Sequence, residues 1–250
     1  MNIGLYQSAS ALSALERWQD VVSQNITSSQ TTGYRKRTVN FSAELRGELQ
    51  TDPNGRLGRE GEGQALVFPQ SNKSISFTTG ETQPTRRELD LAIQGEGFFE
   101  VQMPDESKAY TRSGEFRMNS DRMLITAGGQ PVLSTSGSPI TFLPGGGEVT
   151  ISRDGTVSQG ASSVGKIGVQ KFADNRQLTP IAGGYFVADA SVEPTAVEKP
   201  EVLQGYLEGS NVTSLREMVD MVLISRAYEA NQKIITTVDQ TMQKTLEALG

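Results

Sequence analysis

The C-terminal stretch of the chain, residues 210–250, constrains the fold more than any other segment. It contains no glycine or proline before its last residue. Its apolar residues recur at steps of three and four, which predicts one long helix with a single apolar face. A helix of about 35 residues is about 50 Å long, too long to bury such a face on one small domain. The face therefore needs a partner helix, from this chain or from copies of it.

Residues 2–32 predict a second long helix. Asn2 can cap its start, and Gly33 suits a left-handed turn at its end. Pairing the two ends of the chain in a coiled coil is the economical arrangement, and the outer face of the pair stays available for neighbouring molecules. The residues that we expect at this assembly interface are Leu5, Leu12, Leu15, Val22, Asn25, Ile26, Leu215, Val219, Val222, Asn231, Ile234, Val238 and Met242.

Two of these residues, Asn25 and Asn231, are polar and have two interpretations. An asparagine in an otherwise apolar helix core can fix register and pairing at some cost in stability. Alternatively, both side chains face solvent. The sequence does not choose between the two.

Between the helices, the pattern changes to short β-type segments separated by glycine-containing turns. Such spacing predicts antiparallel strands in a sandwich or open barrel. Before them, the basic residues at 35–37 predict a solvated or salt-bridged turn, and the residues that follow, up to Phe41, suit the start of a strand. The glycine- and charge-rich segment at 42–63 is typical of a linker or flexible arm. The predicted fold class is α+β, with an all-β domain (71–209) and a connection (34–70) between terminal helices (1–33 and 210–250) that form a coiled coil.

Composition argues against several classes of function. The formal net charge of −6 argues against binding to nucleic acid or anionic lipid. The chain has no cysteine and no histidine, so the commonest general base and the usual zinc ligands are missing. We expect no enzyme activity, no cofactor and no metal. We also expect no membrane insertion and no cleaved signal, because no long apolar run occurs and the first basic residue is Arg17.

Local motifs have structural interpretations that we favour over catalytic ones. The sequence GEGFF at 95–99 lacks the third glycine and the following helix of a dinucleotide site, so it predicts a tight turn into a buried strand. Asp90 lies in a predicted strand and Arg112 lies beside a turn, where hydrogen bonding is a sufficient role. Ser214 and Glu217 fit a capping box at the start of the C-terminal helix.

Five segments together resemble the bacterial flagellar basal-body rod and hook proteins, the axial subunits of the flagellum. VVSQNITSSQTTGYRKR (21–37) is similar to the end of the family's N-terminal helix and the turn after it. LDLAIQGEGFFEV (89–101) and YTRSGEF (110–116) resemble its β-domain signatures. LEGSNV (207–212) and MVLISRAYEANQKIITTVDQ (221–240) resemble its terminal helix.

The resemblance implies a non-enzymatic rod subunit that polymerises helically with itself and with other rod and hook proteins, and that transmits torque from motor to hook. It implies export of the unfolded chain through the flagellar type III apparatus to the periplasm-spanning rod. The terminal helices would form the inner layer of the rod and the β domain its outer layer. The compact length and the short segment at 42–63 are more similar to a proximal rod subunit than to the distal rod or the hook.

A β-sandwich binding module, dimerised through its terminal helices, is the alternative from another class. An exposed aromatic cleft would distinguish such a module. The only tryptophan, Trp18, lies in the predicted N-terminal helix instead.

Overall fold

The structure is a computed structural model that describes residues 3–48, 65–189 and 191–249. The chain divides into two compact units. The first unit groups both terminal helices with a β-hairpin, in the segments Met1–Ile26, Arg37–Ser74 and Ser214–Gly250. The second unit contains Thr27–Lys36 and Ile75–Thr213 and carries most of the strands.

The terminal helices are α1 (Ile3–Thr27) and α2 (Ser214–Leu249). The run of serine and threonine at 27–32 predicts that the helix expected at 2–32 stops early, because these side chains compete for backbone hydrogen bonds, and α1 does end at Thr27. Gly33 adopts the expected left-handed conformation, with φ of 68°, but it lies beyond the helix end and is not its cap. Glycine is needed here because the backbone of Ser113 packs directly against residue 33. A Cβ at this position would lie 2.3 Å from the backbone nitrogen of Ser113.

A two-stranded sheet in the first unit corrects the linker prediction. Strand β1 (Arg37–Glu48) pairs with β2 (Ala65–Ile75), so the first part of the predicted linker at 42–63 is a strand. Residues 49–64 lie outside the described part of the chain. Trp18 of α1 packs edge to face on Phe41 of β1, with ring centroids 5.7 Å apart.

The second unit consists of short antiparallel strands. They are β3 (Thr82–Pro84), β4 (Leu91–Gln94), β5 (Phe98–Gln102), β6 (Lys108–Thr111), β7 (Phe116–Met118), β8 (Leu124–Thr126), β9 (Val149–Ile151), β10 (Thr156–Gln159), β11 (Ser162–Lys166), β12 (Val169–Lys171), β13 (Leu178–Pro180), β14 (Tyr185–Ala188), β15 (Thr195–Ala196), β16 (Glu201–Gln204) and β17 (Tyr206–Glu208). Two short 3-10 turns, Asn175–Gln177 and Ala182–Gly184, interrupt them.

The largest sheet of this unit has the strand order β13-β14-β6-β5-β12-β15. Strands β11-β10-β9 form a second sheet, and β16-β4, β17-β3 and β7-β8 pair separately. The antiparallel prediction is therefore confirmed, but within the described residues these sheets do not close into a barrel. The sequence predicts one strand at 202–207, which Gly205, with φ of 78°, splits into β16 and β17.

Two apolar clusters form the core of the second unit. The smaller cluster is aromatic and lies around Phe98 and Tyr110. The larger one includes Leu91, Phe99, Val101, Leu124, Ile140, Phe142, Val157 and Ile167. The predicted turn at 95–99 is confirmed, because Gly95 and Gly97 have positive φ and lead directly into buried β5. The β-type segment at 140–142 also predicts a strand, but it makes only isolated bridge contacts, although it carries two core side chains.

Candidate assembly surface and two buried polar clusters

The first turns of helix α2 have one buried side and one exposed apolar side. Glu217 and Ile224 are buried, with 1% and 0% of their surface exposed. At about 100° per residue, the exposed apolar residues between 215 and 223 point away from these two. We call them the uncovered face: Leu215, Met218, Val219, Val222 and Leu223, whose exposures lie between 51% and 73%. Soluble monomers rarely leave a contiguous apolar patch of this kind open, so the face indicates an interaction surface.

The residues predicted for assembly fall into different environments. Leu215, Val219, Val222, Ile234 and Met242 are exposed; Leu12, Leu15, Ile26, Asn231 and Val238 are partly buried; Val22 and Asn25 are buried. The side chain of Leu5 lies outside the described set. Met218 and Leu223 were not predicted for this surface. The prediction followed one apolar residue every three or four positions, as in a coiled coil, but the exposed face of α2 is wider than that.

Asn25 is a buried polar connector within the first unit. Its side-chain oxygen accepts a hydrogen bond from the backbone nitrogen of Arg37 at 2.9 Å, and its Nδ2 donates to the backbone oxygen of the same residue at 2.8 Å. Nδ2 also donates to a carboxylate oxygen of Glu217 at 2.9 Å. The side-chain amide thus pairs with β1 as a neighbouring strand would, and it joins the end of α1 to the first turn of α2.

Of the two interpretations of the asparagines, the solvent-facing one is wrong for Asn25, which is 1% exposed. Asn231 differs, because its Nδ2 donates to the backbone oxygen of Ala227 in its own helix, at 2.9 Å. Asn25 is therefore the asparagine that connects α1 with β1 and α2. Its role in fixing helix register stays a prediction, as does the coiled coil between the terminal helices.

A buried ion cluster lies in the second unit around Glu208. Its carboxylate contacts Arg35 at 2.7 Å and Arg112 at 3.1 Å, and all three side chains are at most 5% exposed. It also accepts a hydrogen bond from the backbone nitrogen of Gly80 at 2.9 Å. Burial lowers the pKa of Arg112 to about 10, against the opposing effect of the Glu208 carboxylate. That pKa is still far above neutrality, so Arg112 is charged.

The cluster agrees with the salt-bridged interpretation of residues 35–37 and corrects the solvated one for Arg35. Arg35 is buried, while Lys36 and Arg37 are held through their backbone nitrogens by Asn211 and Asn25. The structural role expected for Arg112 agrees with its hydrogen bonds to the backbone oxygens of strand β4 and the turn after it. The sequence did not predict the structural role of Glu208, because its neighbours in sequence do not show that Arg35 and Arg112 surround it.

The expected structural role of Asp90 also agrees with the structure. Asp90 is 1% exposed, and it accepts a hydrogen bond from Nε of Arg87 at 2.7 Å. Among the described residues, no three acidic side chains lie close enough together to hold a metal ion. Neither helix in the described part of the chain combines the length and apolarity needed to cross a membrane.

The fold and its surface define a class of protein. The chain buries charges in fixed structural pairs and leaves an apolar helix face open. Both features are typical of a structural subunit that associates with other chains.

Comparison with known proteins identifies the family. Residues 92–159 match the family described as "Flagellar hook protein FlgE/F/G D1 domain", and residues 203–248 match "Flagellar basal body rod FlgEFG protein C-terminal". The chain is 33% identical to the flagellar basal-body rod protein FlgF of Caulobacter vibrioides, over 100% of this chain and 99% of the relative. It is 31% identical to FlgF of Rhizobium meliloti, with the same coverage. It is also 31% identical to the rod protein FlgG of Borreliella burgdorferi, over 95% of each chain.

The chain belongs to the family of flagellar basal-body rod proteins. It is a structural subunit of the rod, the axial part of the flagellum that carries torque from motor to hook. This membership replaces the alternative of a dimeric binding module. The ring of Trp18, which a carbohydrate site would need to expose, packs on Phe41.

Proposed function

We propose that the chain assembles into the rod through its terminal helices, with the uncovered face of α2 as the contact to neighbouring axial subunits. The exposure of that face supports the proposal most strongly. In this arrangement residues 1–33 and 210–250 form the inner axial layer, residues 34–70 connect, and residues 71–209 form the outer layer. The coiled coil forms between helices of the assembled subunits.

The strength of the contact follows from the area left to bury. Full burial of a large aliphatic side chain stabilises by about 1.5–3 kcal/mol, so a half-exposed one adds roughly 1 kcal/mol. The uncovered face therefore supplies about 5 kcal/mol, which is comparable to the cost of immobilising one subunit. A single contact of this size is weak, and a subunit that contacts several neighbours is held firmly. Assembly is then cooperative.

We propose further that the chain is a proximal rod subunit exported by the flagellar type III apparatus without a cleaved signal. The match to the rod protein FlgF of C. vibrioides runs over nearly the whole of both chains, which supports a rod subunit of similar length. The absence of cysteine suits export of an unfolded chain. Intact mass spectrometry of the subunit from purified basal bodies tests the export proposal, and a mass that lacks the N-terminal residues would contradict it.

The assembly proposal is tested by placing a charge on the uncovered face. Val219→Asp and Val222→Asp each put a carboxylate where a neighbour would cover it, at a cost of several kcal/mol. We expect cells that carry either variant as their only copy to lose motility and to lack a complete rod in electron micrographs. Because both side chains are exposed in the subunit, the thermal unfolding of the purified protein should stay within about 1 °C of wild type.

Gln232→Asp is the matched control, since it adds the same charge at an exposed polar position of the same helix. Cells with this variant should swim. A complete, working rod built from Val219→Asp would refute the assembly surface, and an unfolded Val219→Asp subunit would show that the face is needed for folding instead.

A further inference from the structure

The ion cluster around Glu208 is not electrically balanced. One carboxylate serves two buried guanidinium groups, those of Arg35 and Arg112. The Nε atoms of both arginines are buried and have no hydrogen-bond partner among the described residues. A buried donor without a partner costs about 1–3 kcal/mol, and more when it carries charge. The cluster therefore has hydrogen-bonding capacity and positive charge to spare.

Both arginines line a cavity of about 150 Å³ in the second unit. Phe98 and Phe172 form buried apolar walls, while Glu96 and Lys171 line the cavity and are exposed to solvent. The cavity is thus open on the side of these two charged residues and closed on the side of the arginines. Sites for drug-sized ligands usually measure about 300–1,000 Å³, so this one admits only a small group.

The charges of the site favour an anion. Arg35, Arg112 and Lys171 carry one more charge than Glu96 and Glu208 together. Guanidinium N–H groups match the geometry of a carboxylate or phosphate, and the apolar walls strengthen the interaction by excluding water. A neutral or cationic ligand would leave the excess positive charge unpaired.

We propose that this cavity, which we call the arginine pocket (Arg35, Arg112, Lys171, Glu96, Phe98 and Phe172), binds one small oxyanion group such as a carboxylate. The group pairs with the excess positive charge of the two guanidinium groups that line the closed side of the cavity. Its source is either a free small anion or an acidic side chain of a second copy of this chain. The proposal is independent of the assembly surface on α2, because none of its residues belongs to that helix.

Nuclear magnetic resonance of the arginine side chains tests the proposal directly. The Nε–H signals of Arg35 and Arg112 are recorded while sodium acetate replaces sodium chloride at constant ionic strength, and then with inorganic phosphate. We expect both signals to shift saturably. Lys171→Glu should weaken acetate binding by at least about tenfold, and Glu96→Gln should strengthen it, because each variant changes one charge at the open side of the pocket.

Arg153→Glu is the control, since this exposed residue does not line the pocket. It should bind acetate within about twofold of wild type.

A dilution series in acetate-free buffer separates the two sources of the anion. Shifts that depend on protein concentration support an acidic side chain of a second copy, and shifts that depend only on acetate support a free anion. If neither acetate, phosphate nor protein concentration moves the two Nε–H signals, the proposal is overturned. It is equally overturned if Lys171→Glu and Arg153→Glu weaken binding alike.

Discussion

Replacing Glu208 by glutamine tests how far the second unit depends on its buried charge. The carboxylate contacts Arg35 at 2.7 Å and Arg112 at 3.1 Å, and no side chain of the three is more than 5% exposed. Glutamine keeps the volume and one acceptor oxygen, so the hydrogen bond from the Gly80 nitrogen can persist. What is lost is the negative charge, which leaves two guanidinium groups buried without a counterion.

The magnitude follows from that burial. Removing one partner of a buried ion pair costs about 3–5 kcal/mol, because the remaining charge stays desolvated. An equivalent change at the surface costs less than about 1 kcal/mol. Glu115→Gln is the matched control, since Glu115 pairs with Arg87 and Arg117, whose side chains are 56% and 63% exposed. We therefore expect Glu208→Gln to lower the free energy of unfolding several times more than Glu115→Gln.

Native-state hydrogen exchange in increasing urea measures this difference, with the amides of buried strand β5 as reporters of the second unit. The loss at Glu208→Gln should persist in 0.5 M salt (roughly a 4 Å screening length), because buried charges are screened much less than exposed ones. The Glu115→Gln loss should shrink. A cost below about 1 kcal/mol for Glu208→Gln would refute the reasoning that charge pairing holds this cluster together.

Three further predictions concern other parts of the fold. Asn25→Ala removes three buried hydrogen bonds and should lower the stability of the first unit by about 2–4 kcal/mol, measured by urea unfolding with Trp18 fluorescence. Gly33→Ala should cost more than Gly129→Ala in thermal unfolding, because both have positive φ but only the first lacks space for a Cβ. Burial raises the pKa of Tyr110 to about 12, so an unfolded tyrosine ionises first, near its ordinary pKa of 10.0, and stability should fall as the pH rises from 10 to 12. Tyr110→Phe should remove that part of the alkaline loss, and an unchanged pH profile would contradict it.

The sequence alone was sufficient for features that depend on local periodicity. The helices α1 and α2 follow from apolar residues at helical spacing, and β5 follows from the glycine turn before it. Strands whose extent depends on distant partners were predicted only in part. Strand β1 was expected only at its start, up to Phe41, and its continuation into the predicted linker depends on pairing with β2. Family membership was also within reach, because several short motifs occur in the right order along the whole chain.

Only the tertiary structure decided which polar residues are buried and which apolar residues are not. Arg35 and Glu208 lie far apart in sequence, and each alone looks like a surface charge. Asn25 had two open interpretations until Arg37 and Glu217 were found beside it. Conversely, an apolar stripe predicts burial, but the position of Ile224 determines which side of α2 is covered and which stays exposed. Burial depends on neighbours brought together by the fold, and a linear pattern carries no direct record of them.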